Sequence, residues 1–376
     1  MRVVVLHGNV APDAPPDEQD SLLEAAHVAE SLGRLGYRPS TLAFSLDTRA
    51  VIEALHDVNP HLVFNLVESL DGEGCLIHLA PAVLDYLGLP YTGAGTEALF
   101  LSSNKLVAKS LLARSGIATP PWMTEEAIRL QAPPFSGPYI VKSVWEHASI
   151  GLDEDSVVFE GSKLAQSFES RKAARAGQLF AESYINGREI NVALLSGSNG
   201  PEVLPPAEIL FEDYPSHKLK VVGYRAKWEE DSFEYQHTPR TFEFSRGDRS
   251  LLRHLVDISI ECWNVFGLRG YGRVDFRVDR SGKPWVLEVN ANPCLSPEGG
   301  FAAAAAHAGL GFERVVQRIV EASFPPASLS LSPAVPGRKR AAASRSLSSA
   351  AQRGKRIGGY HDAPPPSSPD LVLEEP

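Results

Sequence analysis

Through its first hundred residues the chain alternates short apolar runs with stretches of helical periodicity, and few folds accommodate that alternation. Residues 3–6, 42–44 and 62–66 read as strands, and residues 21–35, 51–56 and 77–87 as helices. Gly36 supplies the usual stop after the first helix. Strands interleaved with helices predict a parallel sheet covered on both faces, with the loops at the strand ends free to hold ligands. Further on, residues 103–115 read as a helix, and 139–141, 179–184 and 189–195 as strands. Residues 251–266 and 312–322 read as helices, and Ala302 to Ala306 as a close-packed one. Residues 272–278 and 284–289 form a candidate hairpin turned at Asp279-Arg280-Ser281-Gly282.

A chain of 376 residues holds two or three domains. We expect an N-terminal Rossmann-like domain over 1–100, a central domain over 101–190 and a C-terminal domain over 191–324. Residues 325–376 are rich in Pro, Ser, Ala and Arg, and 337–356 carry basic residues and no acidic ones. Such a segment buries too little apolar surface to offset its ordering entropy, so it reads as a disordered, solvated tail. The net charge of −10 argues against nucleic acid as the partner of the folded body. Cys75, Cys262 and Cys294 are widely spaced and form no metal or redox pair, which fits a reducing cytoplasm. No window approaches the roughly 20 apolar residues of a membrane span, and the N-terminal apolar run is too short for a signal peptide.

The strongest chemical signal is in the candidate hairpin. Glu288 and Asn290 are two apart on one strand and project to one face, and Asp275 lies on the strand opposite. Two carboxylates and an amide oxygen on one sheet face make an all-oxygen site of the kind magnesium prefers. Arg273 faces the same way and can neutralise charge developing on an oxyanion. A second group is lysine-based. Lys142 ends an apolar strand and leads into Ser143-Val-Trp-Glu146-His147-Ala-Ser149-Ile-Gly151, a small-residue loop suited to covering phosphates. Lys105 opens a helix, where the helix dipole disfavours a cation unless it has an anion to meet. A third group is Glu182-Ser-Tyr184-Ile185-Asn-Gly187-Arg-Glu189, two strand segments around an Asn-Gly turn. By itself this is a plain hairpin; beside the other groups it reads as a hinge between two sheets that grips a nucleotide edge-on.

In order, these pieces resemble the ATP-grasp superfamily, and within it the D-alanine–D-alanine ligase family. The resemblance covers about residues 1–323. Its most specific stretches are Gly88-Leu-Pro-Tyr-Thr-Gly93, Asn104-Lys105-Leu, Ile140-Val-Lys142, Glu182 to Glu189, Gly272-Arg-Val-Asp275 and Leu287-Glu-Val-Asn-Ala-Asn-Pro293. It implies an α/β, ATP-grasp, three-domain architecture in which an N-terminal parallel-sheet domain precedes two α+β domains clasping ATP. It also implies a carboxylate–amine ligase that forms an amide through an acyl phosphate, acting on ATP and small amino-acid-like substrates, with a homodimer as a compatible assembly.

Carried over by match, Lys105, Lys142 and Ser149 would bind ATP phosphates, and Lys227 would reach over them from a mobile loop at 210–241. Glu182 would meet the adenine amino group, Ile185 would offer backbone contacts, and Glu189 would hold the ribose. Asp275, Glu288 and Asn290 would ligate magnesium, as two ions, with manganese a substitute. Arg273 would stabilise the tetrahedral intermediate. Either Asp17, by spacing to Ser21, or Glu18, by residue type, would bind the first substrate's amino group.

The departures from the family pattern all fall on the substrate side. Glu68 stands where the family has a catalytic histidine, Trp228 where it has a tyrosine, and Cys294 where it has a glycine. Glu298-Gly299-Gly300 fall where a serine holds the second substrate's carboxylate. Two other readings stay open: an ATP-grasp ligase for a different amino acid, peptide or amino metabolite, and a catalytically inactive nucleotide-binding regulator.

Overall fold

A computed structural model of the chain describes residues 1–174 and 177–324, so the expectation of a disordered tail lies outside the described residues. The first sheet is parallel, in the order β2 (Arg38–Phe44), β1 (Arg2–Gly8), β3 (Leu62–Asn65). The expected strand–helix alternation is present. Its first helix, however, spans Pro16–Arg34 and so begins before Ser21. Pro16 sits in the first helical turn, where a missing N–H costs nothing, followed by Asp17 and Glu18 at the positive end of the helix dipole. Starting the helix there places Asp17, Asp20 and Glu24 at spacings of three and four along one face.

The second sheet is antiparallel, in the order β4 (Trp122–Thr124), β7 (Leu179–Ser183), β5 (Tyr139–Ser143), β6 (Val157–Val158). Tyr139, Val141 and Ala181 pack on Leu164 and Phe168 of the helix Leu164–Ala174. Period-two alternation therefore sends Ile140 and Lys142 to the opposite face.

The third sheet runs β11 (Arg240–Thr241), β10 (Ala207–Ile209), β8 (Arg188–Gly197), β12 (Tyr271–Val278), β13 (Pro284–Asn290), with β9 (Gly200–Val203) beside β8. Val274, Phe276, Val286 and Val289 join Leu255, Cys262 and Phe266 of the helix Arg249–Phe266 in one core. The other side of the sheet keeps Arg273, Asp275, Glu288 and Asn290 for chemistry.

The Asn186-Gly187 turn does not close a hairpin. β7 belongs to the second sheet and β8 to the third, so the chain crosses between sheets at this turn. Gly187 is required there, because a Cβ would lie 1.9 Å from the Val278 carbonyl oxygen.

Candidate active site

A cavity of about 810 Å³ is walled by all three sheets and their loops. Its floor is the β12–β13 pair, where antiparallel register sets Asp275 opposite Glu288 and Arg273 opposite Asn290. β8 adds Asn191 opposite Asp275, and its side-chain amide donates to Asp275 Oδ1 at 2.8 Å. Arg273 meets Asp275 through both ends of its fork, Nε–Oδ1 at 2.8 Å and Nη2–Oδ2 at 2.9 Å. Burial alone would raise Glu288, yet Lys105, His147 and Lys227 hold it well below the usual carboxylate range. Lys105 Nζ is 3.7 Å from Glu288 Oε2, and His147 Nδ1 is 3.2 Å from Oε1. Two facing carboxylates beside the Asn290 amide are an oxygen donor set that fits a hard divalent cation.

The basic side of the cavity is assembled from two segments. Lys105 is positioned by Asn104, whose side chain caps the helix Lys105–Arg114 by accepting from the N–H groups of Leu106 and Val107. Its ammonium donates to the Glu146 carbonyl at 2.6 Å. Lys142 enters the cavity from the end of β5. The loop after it holds Ala148 and Ser149 at φ of +55° and +62°, a left-handed conformation that non-glycine residues adopt only when surroundings impose it.

Those surroundings are the 221–228 segment. Ser149 Oγ donates to the Val222 carbonyl at 2.8 Å, Trp228 Nε1 to the Ala148 carbonyl at 3.2 Å, and the Tyr224 N–H to the Leu152 carbonyl at 3.0 Å. Tyr224 also donates its hydroxyl to Asp17 Oδ1 at 2.8 Å, which ties this cover to the N-terminal helix. Lys227 hangs from the cover into the cavity, walled by protein though solvent still reaches it. That enclosure, then Arg273, lowers its pKa, against the pull of Asp275, Glu288 and Glu189.

Gly223 lets the cover approach this closely, since a Cβ there would lie 2.5 Å from the Leu152 carbonyl oxygen. Gly223→Ala is expected to part the cover from the loop and admit water. The opened cover should then be cut faster by a dilute protease, measured as the half-life of the intact chain.

The cavity brings together Asp17, Glu68, Lys105, Lys142, Ser149, Glu189, Lys227, Arg273, Asp275, Glu288 and Asn290. Of the two candidates on the first helix, Asp17 lines the cavity and Glu18 does not, its carboxylate lying toward Gly72. Ile185 and Glu182 do not line the cavity either. Glu182 is 1% exposed, with Oε2 2.5 Å from Lys109 Nζ and Oε1 2.6 Å from Lys142 Nζ. Burial would raise it, but the two lysines win and lower it. Glu189 is ion-paired with Arg277 at 2.8 Å.

Sequence reasoning missed Lys109, Asn191 and His147. Lys109 lies one helical turn after Lys105 on the same face, which was a signal for it. Asn191 continues the alternation of Glu189 along β8. His147 is recognisable only once its loop lies across the hairpin.

Three sheets around a cavity with a carboxylate pair, three lysines and a half-buried arginine make the arrangement expected of an ATP-grasp ligase. A family model described as the C-terminus of D-ala D-ala ligase matches residues 111–321. A D-alanine–D-alanine ligase of Chromohalobacter salexigens is 32% identical over 328 residues, covering 85% of this chain and 93% of its own. An uncharacterized Sinorhizobium fredii protein is 33% identical over 260 residues, 69% of this chain and 74% of its own. Among solved structures, the D-alanine–D-alanine ligase of Bacillus anthracis complexed with ATP shares the fold. Its TM-score is 0.65 at 21% identity, over 86% of this chain and 97% of that one. The chain belongs to the D-alanine–D-alanine ligase family, ligases that form a carbon–nitrogen bond. Among the described residues no helix is long and apolar enough to cross a membrane.

Proposed function

We propose that this chain is an ATP- and magnesium-dependent cytoplasmic ligase that activates an amino-acid-like carboxylate as an acyl phosphate and transfers the acyl group to an amine. What carries this reading is the register that sets Asp275 against Glu288 in the same cavity as Lys105, Lys142, Lys227 and Arg273. Magnesium, held by Asp275, Glu288 and Asn290, would offset charge on the phosphoryl oxygens.

Lys105 and Lys142 orient the triphosphate, and Lys227 covers it as the 221–228 segment closes. A substrate carboxylate oxygen attacks the γ-phosphorus and ADP leaves. The amine nitrogen of the second substrate then attacks the acyl carbon, loses its proton and expels phosphate. Arg273 faces the oxyanion of that tetrahedral intermediate. The docked cover keeps water from taking the amine's place.

The altered substrate side argues for a substrate other than D-alanine. Glu68, Trp228, Cys294 and Gly299 all line the cavity, at the places where the family's histidine, tyrosine, glycine and serine are expected.

Phosphate release from ATP should depend on an amino acid or short peptide drawn from a panel of D- and L-compounds, and should vanish in Glu288→Ala. Release that no member of the panel stimulates would make the protein a nucleotide-binding regulator instead.

A further inference from the structure

The cavity wall facing Arg273 is acidic. Asp17, Asp20 and Glu24 come from one face of the helix Pro16–Arg34, and Glu68 from the loop after β3. Their direct partners are uncharged. Asp17 accepts from the Tyr224 hydroxyl. Asp20 accepts from the Cys294 thiol at 3.1 Å and the Ser296 hydroxyl at 2.8 Å. Glu24 accepts from the Leu295 N–H at 2.6 Å. Among the described residues none of these four carboxylates is ion-paired, and Glu68 has no hydrogen-bond partner.

A second feature of the cavity points to a charged ligand independently. Arg240 lines its mouth with neither an ion pair nor a hydrogen bond among the described residues. Its Nη2 would lie 3.6 Å from a Cβ at Gly300, the first residue of the helix Gly300–His307, whose N-terminus has no side-chain cap. A free guanidinium beside uncapped N–H groups receives an anion such as a carboxylate. The cavity therefore has separate places for negative and positive ligand groups, in addition to the phosphate lysines.

On the ligase reading above, we propose that one amino-acid substrate carries a second cationic group, held by Asp20, Glu24 and Glu68, so that the enzyme takes a basic amino acid in preference to alanine. Four carboxylates in one enclosed wall repel each other, and Arg273 and Lys227 at Glu68 and the Leu295 N–H at Glu24 offset this only in part. Burial and Asp20 push Glu68 up to about 7, and burial and Glu68 raise Glu24. An ammonium ion among them removes that cost, whereas a neutral side chain leaves it in place, which gives discrimination in both directions. The ligand atoms of Glu24, Glu68 and Cys294 lie within 4.8 Å of one another, which would also suit a transition-metal ion. Against that, the Cys294 thiol donates its proton to Asp20 rather than standing as a thiolate.

The test is phosphate release by the full chain with ATP and Mg²⁺, using ornithine and lysine against their isosteres norvaline and norleucine, and alanine, in both enantiomers. We expect KM for the basic compounds to be about 10-fold or more below that for the isosteres. Glu68→Gln and Asp20→Asn should each raise KM for the basic compounds about 10-fold more than KM for the isosteres, a split that general loss of structure does not give. Equal KM for basic and neutral compounds overturns this inference and leaves the ligase intact. Zinc bound by the purified protein, with turnover falling on chelation and restored by zinc, also overturns it and assigns the acids to a metal. No stimulation by any compound overturns it together with the ligase reading.

Discussion

Arg273→Ala is expected to lower kcat by about 10²–10³-fold, the usual loss when one oxyanion donor is removed, with a much smaller change in KM for ATP. The argument rests on direction as well as charge. Both ends of the guanidinium fork are fixed on Asp275, so the remaining N–H groups have a set aim into the cavity. The alanine variant also removes the counter-ion of Asp275, so Arg273→Lys is the informative companion. It keeps the charge and loses the fork, and should recover nucleotide affinity while recovering only part of kcat. Steady-state phosphate release at saturating ATP, beside thermal melts of all three proteins, reads both quantities. A lysine variant with full activity would reduce Arg273 to a counter-charge.

Lys109→Met is expected to destabilise the fold by about 3 kcal/mol, the lower end of the cost of breaking a buried ion pair, because Glu182 keeps Lys142 as its second cation. Lys109 and Glu182 are each 1% exposed, and Lys109 also donates to the Thr119 hydroxyl at 2.8 Å. The double variant Lys109→Met/Glu182→Gln should recover much of that loss, because it leaves no carboxylate buried, and Lys142, released from Glu182, faces the cavity. Urea denaturation of the three proteins measures it. In Lys109→Met, Lys142 becomes the one remaining cation on Glu182, so KM for ATP should also rise. No change in stability would mean that Glu182 is protonated in the native protein.

The floor of the site was legible because its information is local. Arg273, Asp275, Glu288 and Asn290 lie on two strands joined by a short turn, and period-two alternation fixes which face they share. Lys105 and Lys142 were legible as cavity residues for the same reason, each marking the end or start of an element. Glu182 and Lys109 were harder. Their pairing joins residues 73 positions apart, and nothing local distinguishes a carboxylate that meets a ligand from one that meets a lysine. The acidic wall was missed because a helix read as beginning at Ser21 leaves Asp20 outside it and makes Glu24 an ordinary solvated helix position. Starting the helix at Pro16, in the position proline favours, would have placed Asp17, Asp20 and Glu24 on one stripe. The crossing at Asn186-Gly187 carried a hairpin signature, and only tertiary context separates a turn that pairs its flanks from one that parts them.

The hydrogen bond from Tyr224 to Asp17 fastens the cover to the first helix. On the proposed reaction, a cover latched on one side to the loop after Lys142 and on the other to the helix carrying Asp17 unfastens once in every turnover. Departure of the finished amide, rather than bond formation, is then expected to set the pace, and the enzyme should slow in viscous solvent.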